Sequence, residues 1–309
     1  MNEHDLPSLV AVVGPTAVGK TALSIALAQR LSGEIVNADS RQIYRYMDIG
    51  TAKPTPAEQT VVPHHLIDTI TPDEPYSLAV YQEQALSAIA QISEQHHLPL
   101  LVGGTGQYAA AVLEGWNIPR VPPQPEVRAR LEAEADAQGT GALYGRLLAL
   151  DPEAASKIEP NNRRRIIRAL EVFEITGTPI STQQTKTPPP YRIVTLWLTL
   201  NRMTLYRRID ERVDAMIAAG LVAEVRGLLD RGYDWSLPAM SSLGYKEFRP
   251  YFESAAPLDE CIQRLKFNTH AFVRKQDMWF KRLPHCVQLP ADDPALLDRA
   301  LHEIARLMR

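Results

Sequence analysis

The chain has 309 residues, 45% of them apolar and 22% charged, with a formal net charge of -3. Such a composition belongs to a globular protein with a sizeable core, either two domains or one large domain with an insert. It excludes a globally basic nucleic-acid binder while leaving room for a local basic patch. The two cysteines, Cys261 and Cys286, form no C-x-x-C pair and build neither a disulfide framework nor a structural zinc site by themselves. They read as reduced thiols of a cytoplasmic protein. No basic n-region with an apolar run opens the sequence, and no window approaches ~20 uninterrupted apolar residues, so neither a signal peptide nor a membrane span is expected.

In chain order, Ser8 to Val13 is a β-branched run ending in glycine and reads as a buried parallel strand. GPTAVGKT follows at 14–21 and fits G-x-x-x-x-G-K-[ST]. KTALSIALAQRL has helical spacing at Leu23, Ala26, Leu27 and Leu31, so the glycine-rich loop lies between a strand and a helix. Glu34 to Asn37 reads as a second strand, with Asp39 just past its end. A helix over YSLAVYQEQALSAIAQISEQ, N-capped by Ser77, precedes a third strand in LPLLVGGTG. WNIPRVPPQPEVR, with Pro119, Pro122, Pro123 and Pro125, is a stiff connector. From Glu126 to Ile180 the pattern is helical throughout, and TKTPPPYR forms a second proline-rich hinge. Ile193 to Leu200 restores a strand; helices are predicted over 204–219, 222–231 and 258–281, then a short strand near Val287 and a last helix. The alternation at both ends predicts an α/β core with a parallel sheet over 1–117 and 192–309. The helical stretch 118–191 reads as an inserted domain.

The loop Gly14, Pro15, Thr16, Ala17, Val18, Gly19, Lys20 and Thr21 is suited to a chain of phosphates. Its backbone N–H groups and the positive end of the following helix would face an anion. Lys20 would reach terminal phosphate oxygens, and Thr21 would offer its hydroxyl to Mg²⁺. Most such loops hold ATP or GTP. A P-loop NTPase commonly ends a later strand in a metal-holding acid, and LLVGGTG has none. Strand C-termini of a parallel sheet open on one side, so Asp39 and Thr105 belong beside the loop. Asp39 could accept a proton from an incoming nucleophile or cap a turn with its own backbone; spacing leaves both open. GGTG, 103–106, could be a tight turn or a backbone surface against a flat substrate.

NNRRRIIRALE places Arg163, Arg164, Arg165 and Arg168 within one and a half turns, next to Asn162 and Ile166. That density repels itself unless a polyanion neutralises it, and RNA phosphates are a natural partner; Arg128 and Arg130 would extend the surface. A solvated basic helix is the bland alternative. In and just after THAFVRKQDMWF, Arg274, Lys275, Lys281 and Arg282 near Phe272 and Trp279 suit single-stranded RNA. Phe272 is expected in the core of a long helix, and Trp279 is open either way.

These pieces occur in order with ADSRQIYRYMDIGTAKP, PHHLIDTITPDEPYS, GGTGQY, LYRRIDERVDAMIAAGLVAEVRGLL and LGYKE. In this combination, and over nearly its whole length, the chain resembles the tRNA dimethylallyltransferases, also called tRNA isopentenyltransferases. The resemblance is to the bacterial type, without the zinc finger of some eukaryotic relatives. It implies a P-loop kinase-like core whose loop holds dimethylallyl diphosphate in place of ATP. The dimethylallyl group would pass to N6 of adenosine 37, beside the anticodon of tRNAs reading codons that start with U. Mg²⁺ is the implied cofactor, held by Thr21, and the tRNA anticodon stem-loop the implied partner of a monomer. By the same resemblance Asp39, Thr105 and Arg208 act in catalysis, and Arg202 and Arg208 contact the diphosphate. Asp39, Ser40, Arg41, Gln42 and Thr105 match the segments facing the extruded adenosine. Arg202 is read as preceding its helix, with Asn201 near the cap. His64 and His65 share no face and are read as packing behind the site. The chain departs from the family pattern at Val18, where Ser is usual, at Asn162, where Asp is frequent, and in VRKQDMW, where AKRQLTW is usual. A small-molecule P-loop kinase would instead turn over ATP without RNA. An adenylate isopentenyltransferase acting on free AMP or ADP would need no large insert.

Overall fold

The computed structural model describes residues 6–283 and 286–308. The chain forms two compact units, one of residues 1–113 with 189–309 and one of residues 114–188. The first unit opens with β1 (Ser8–Val13), α1 (Lys20–Leu31), β2 (Gly33–Asn37), α2 (Pro56–Val61), β3 (His64–His65), α3 (Leu78–Glu94), β4 (Leu98–Gly103) and α4 (Gly106–Leu113). The second unit carries α5 (Pro125–Gln138), α6 (Thr140–Leu150), α7 (Pro152–Ser156), α8 (Arg163–Thr176) and α9 (Ile180–Gln183). The first unit resumes with β5 (Arg192–Thr199), α10 (Arg202–Ala218), α11 (Leu221–Asp230), a 3₁₀ turn at Lys246–Phe248, α12 (Arg249–Ser254), α13 (Leu258–Phe280), β6 (Cys286–Pro290) and α14 (Leu296–Met308).

The strands form one six-stranded sheet in the order β3-β2-β4-β1-β5-β6, all parallel. Leu9 to Val13 are fully buried, as an apolar run covered on both faces should be. They join Leu23 and Leu27 of α1, Leu196 and Leu198 of β5 and Ile304 of α14 in or beside one core. Each such side chain contributes roughly 1.5–3 kcal/mol of burial. The register sets Val13 opposite Gly103 and Asn37 opposite Val102. The segments beginning at Gly14, Ala38 and Gly104 therefore leave the sheet side by side.

Two expectations are corrected. The Asn201 side chain accepts the Met203 and Thr204 N–H groups, so α10 starts at Arg202, which lies in the first turn and not ahead of it. The buried stripe of α13 runs Cys261, Leu265, Thr269, Val273, Gln276 and Phe280. Phe272 sits about 100° round the helix from Val273, and it is 40% exposed instead of core.

The helical unit has its own core of Leu131, Leu143, Leu147, Ile166, Ile167, Leu170 and Val172. Ile166 is therefore a packing residue, not an exposed one. Asn162 caps α8 by accepting the Arg165 N–H. The expectation that the arginines need an external polyanion is also corrected in part. Arg163 pairs with Glu132 and Asp136. Arg128 and Arg168 both bind Glu171, a carboxylate with no solvent exposure. Arg164 and Arg165 are exposed and pair with no carboxylate among the described residues. Arg163 and Arg128 pair between α5 and α8, which spacing along α8 alone does not show, whereas Arg168 meets Glu171 three residues on along its own helix.

Burial would raise the Glu171 carboxyl, but bonds from Arg128, the Gln124 N–H and Arg168 outweigh it and hold it below the usual carboxylate range. A depressed folded pKa stabilises above the unfolded value and is lost as pH falls through the folded one. The helical unit should therefore keep full stability above pH ~4.5 and lose it progressively below. Glu171→Gln should remove this acid dependence and cost about 1–3 kcal/mol at neutral pH, because the half-exposed arginines lose a charged acceptor but keep water and the amide carbonyl. Denaturant unfolding at a series of pH values checks both.

Candidate active site

A crevice of about 850 Å³ opens at the C-terminal ends of β1, β2 and β4. Its floor is the 14–21 loop. A Cβ on Gly14 would stand 2.8 Å from the Leu198 carbonyl oxygen, so only glycine lets the chain leave β1 here. Ala17 and Gly19 are left-handed, with φ of 63° and 106°. For alanine that conformation costs about 1–2 kcal/mol. Alternating conformations of this kind turn successive N–H groups inward into an anion-binding concavity at the α1 N-terminus.

Lys20 Nζ donates to the Gly14 and Pro15 carbonyls at 2.9 and 2.8 Å. Burial pushes its amine down to about 8; the Asp39 carboxylate pulls it up and the Arg212 guanidinium pulls it further down. Among the described residues the Thr21 hydroxyl has no hydrogen-bond partner, although Thr21 lines the crevice.

Asn37 orients Asp39 by accepting its N–H at 3.0 Å and donating to its carbonyl at 3.1 Å. Asp39 Oδ1 accepts the Arg41 N–H at 2.9 Å, closing the turn that spacing left open. Its other oxygen, Oδ2, lies 3.6 Å from the point where a Cβ on Gly104 would stand, and Lys20 Nζ lies 3.6 Å from the same point. Acid and amine thus face one another over a backbone surface with no side chain. GGTG is such a surface: a Cβ on Gly103 would stand 2.2 Å from the Ala38 backbone, and one on Gly106 2.4 Å from Trp279. Thr105 Oγ1 accepts the Ser40 N–H at 3.0 Å and donates to Ser40 Oγ at 3.2 Å. Gln42 donates to the Thr51 and Ala52 carbonyls, and Arg41 to the Pro238 carbonyl.

Arg208 lines the crevice; Arg202 does not, and its charged neighbour is Asp277. Six residues on a helix place two side chains about 240° apart. Sequence reading missed Arg212, which lies one turn beyond Arg208, lines the crevice and donates to Thr16 Oγ1 at 3.3 Å. The i, i+4 spacing, beside the buried Leu205, Ile209 and Val213, was the available signal. Also missed was Glu224, whose carboxylate accepts the N–H groups of Asp48, Ile49 and Gly50 and the Tyr245 hydroxyl. With buried Lys53 between Asp48 and Asp68, it fixes the MDIGTAKP segment as one crevice wall. His64 lines the crevice, which the reading of the pair as packing behind the site did not expect, whereas His65 joins His97 on the Glu34 carboxylate outside the crevice lining.

The crevice presents Lys20, Arg41, Arg208, Arg212, Lys246 and Lys275 against Asp39 and Glu58. This balance suits a polyanionic ligand. No cluster of three His, Cys, Asp or Glu suited to a metal occurs among the described residues. A single hydroxyl ligand beside a phosphate cradle still fits Mg²⁺, which takes most of its ligands from phosphates and water.

A phosphate cradle at the C-terminal edge of a parallel sheet, with the Asp39 carboxylate across a glycine surface, defines a P-loop-type α/β enzyme. More particularly, the chain belongs to the IPP transferase family, whose sequence model matches residues 42–283. It is 65% identical over 292 residues to the tRNA dimethylallyltransferase of Roseiflexus castenholzii, covering 94% of this chain and 95% of that protein. The Chloroflexus aggregans enzyme of the same name is 62% identical over 286 residues, 93% of this chain and 97% of that one. The full-length tRNA isopentenylpyrophosphate transferase of Bacillus halodurans superposes with a TM-score of 0.72 at 40% identity, over 97% and 96% of the two chains. A eukaryotic dimethylallyltransferase crystallised acting on tRNA gives a TM-score of 0.81 at 27% identity, over 97% of this chain and 77% of that one.

Proposed function

We propose that this chain is a tRNA dimethylallyltransferase that moves the dimethylallyl group of dimethylallyl diphosphate to N6 of adenosine 37, releasing diphosphate. The observation that carries this reading is the placement of Lys20 and Asp39 on either side of Gly104, within a family whose relatives bear that activity in their names. An adenine amino group is a weak nucleophile, its lone pair delocalised into the ring. The chemistry must rest on the leaving group. The loop amides, Lys20, Arg208 and Arg212 would hold the diphosphate as the C1–O bond breaks. When bound, Mg²⁺ on Thr21 would add positive charge to the same oxygens. As the N6–C1 bond forms, N6 acidifies, and Asp39 Oδ2 would accept its proton. Thr105 and Ser40, bonded to one another, would face the base, which leaves its stack at a cost of a few kcal/mol.

Arg164 and Arg165 would meet phosphates of the anticodon stem-loop. Replacing both with Glu should raise KM for tRNA about tenfold or more at low salt and flatten its salt dependence, leaving kcat nearly unchanged. Steady-state kinetics at several salt concentrations checks this. No helix among the described residues is long and apolar enough to cross a membrane. The substrate places the enzyme where tRNA is, in the cytoplasm, and one crevice with one insert suffices for a monomer. The test of the whole reading is incubation with labelled dimethylallyl diphosphate, Mg²⁺ and unmodified tRNA carrying A36-A37-A38, followed by digestion. Label on adenosine 37 supports it; turnover of ATP without RNA would return the kinase reading.

A further inference from the structure

Gln276 lies on the buried stripe of α13 and is only 4% exposed. Its carboxamide bridges two backbone segments far apart in the chain. Oε1 accepts the Thr16 N–H of the phosphate loop at 3.0 Å, and Nε2 donates to the Gly104 carbonyl at 2.8 Å. One edge of an amide accepts and the other donates, so this bridge works in a single orientation. Flipped, oxygen would face a carbonyl and NH₂ would face an N–H. A Cβ on Gly104 would stand 2.6 Å from Nε2, so glycine at that position is what lets α13 approach.

The bridge has two consequences. The Thr16 N–H is spent on Gln276, so among the loop's backbone amides the anion is left to those that follow. Gly104 also precedes Thr105, which is bonded to Ser40 beside Asp39. One buried side chain therefore joins the loop that would hold the donor to the segment that would face the acceptor.

We propose that Gln276 is a positioning residue that sets the separation between the bound diphosphate and the incoming amino group. This rests on the prenyl-transfer reading above. Its contribution should appear in the rate and not in the binding of either substrate, because a misplacement of about 1 Å can cost about 100-fold.

Gln276→Met keeps length and volume while removing both bonds. With dimethylallyl diphosphate and an anticodon stem-loop RNA, its kcat should fall about 10- to 100-fold, with both KM values within about threefold of wild type. Gln276→Glu supplies a second readout. A protonated carboxyl has the same pattern as the amide, accepting from Thr16 and donating to Gly104, whereas a carboxylate opposes the Gly104 carbonyl. The charged groups facing this position are Lys20 and Asp39 on either side of Gly104 and Arg212 at Thr16. Lys20 titrates near 8, so the range from about pH 5.5 to 7.5 lies below it. Across that range the ratio of Glu-variant to wild-type kcat should fall as pH rises, while the Met-variant ratio stays flat. Deuterium exchange at the Thr16 amide, without substrates, should be faster in the Met variant. A Met variant within about twofold of wild-type kcat overturns the proposal, as does a raised KM with kcat intact. A flat ratio for the Glu variant also overturns it, and decides alone should the Met variant not fold. Failure of wild type to transfer the prenyl group would instead sink the functional reading, and the Thr16 exchange would still report the bridge.

Discussion

Asp39→Asn should lower kcat by about 10²- to 10⁴-fold, the range for losing a positioned general base. Asparagine keeps the Oδ1 acceptor that closes the turn with the Arg41 N–H, so the 39–42 segment should hold its place. What it loses is the second carboxylate oxygen, the one aimed over Gly104 toward Lys20. Asp39→Ala should be equally slow and should also lose about 1 kcal/mol of stability, because its turn bond goes too. KM for tRNA should change little in either variant, since phosphates and not this carboxylate carry most RNA affinity. Single-turnover rates with saturating donor separate these terms. An Asn variant running at nearly the wild-type rate would leave Asp39 as a turn-forming residue alone.

Lys20→Met should cut kcat by about 10²- to 10³-fold, as expected when one stabiliser of developing charge is removed. Methionine preserves the apolar stem but offers nothing to the diphosphate. The loop should survive, because Gly14, Ala17 and Gly19 set its backbone, although the bonds to the Gly14 and Pro15 carbonyls are lost. The pH dependence adds a sharper check. With its amine near 8, Lys20 is charged below that pH and progressively neutral above it. Once the ionisation of inorganic pyrophosphate itself is divided out, wild-type affinity for it should be level below pH 8 and fall about tenfold per unit above it. The Met variant should bind more weakly with no break at that pH. Calorimetry across the range reads both. A wild-type profile that shows no break would mean that Lys20 does not hold the anion.

Cationic stabilisation of a departing diphosphate suits a crevice with few acids. A phosphoryl-transfer site would place a metal-holding carboxylate at the end of β4. The chain puts Gly103, Gly104 and Gly106 there, and what those glycines admit is backbone contact with Ala38, the Gln276 amide and the Trp279 ring. The residues that make the loop look like a nucleotide site are thus local, and the residues that set its partner come from elsewhere in the fold.

Much of this was readable along the chain because its physics is local. The apolar run Leu9–Val13 has to be buried on both faces. The glycines and Lys20 at 14–21 have to form a phosphate loop between a strand and a helix, and Asp39 has to stand just beyond the end of β2. Family-specific runs such as MDIGTAKP identified the chemistry before their structural role was visible. Three-dimensional packing alone decided the rest. It chose Arg212 over Arg202 for the crevice, turned Phe272 out of the core, gave Arg163 to carboxylates on α5 and buried the Glu171 partner of Arg168, while leaving Arg164 and Arg165 exposed. It also made Gln276 and Glu224 anchors of backbone segments that are distant in sequence. The physical reason is one of range: turn geometry and strand burial follow from neighbouring residues, whereas the pairing of charges and amides depends on which helix face meets which loop, and that is settled only when the chain packs.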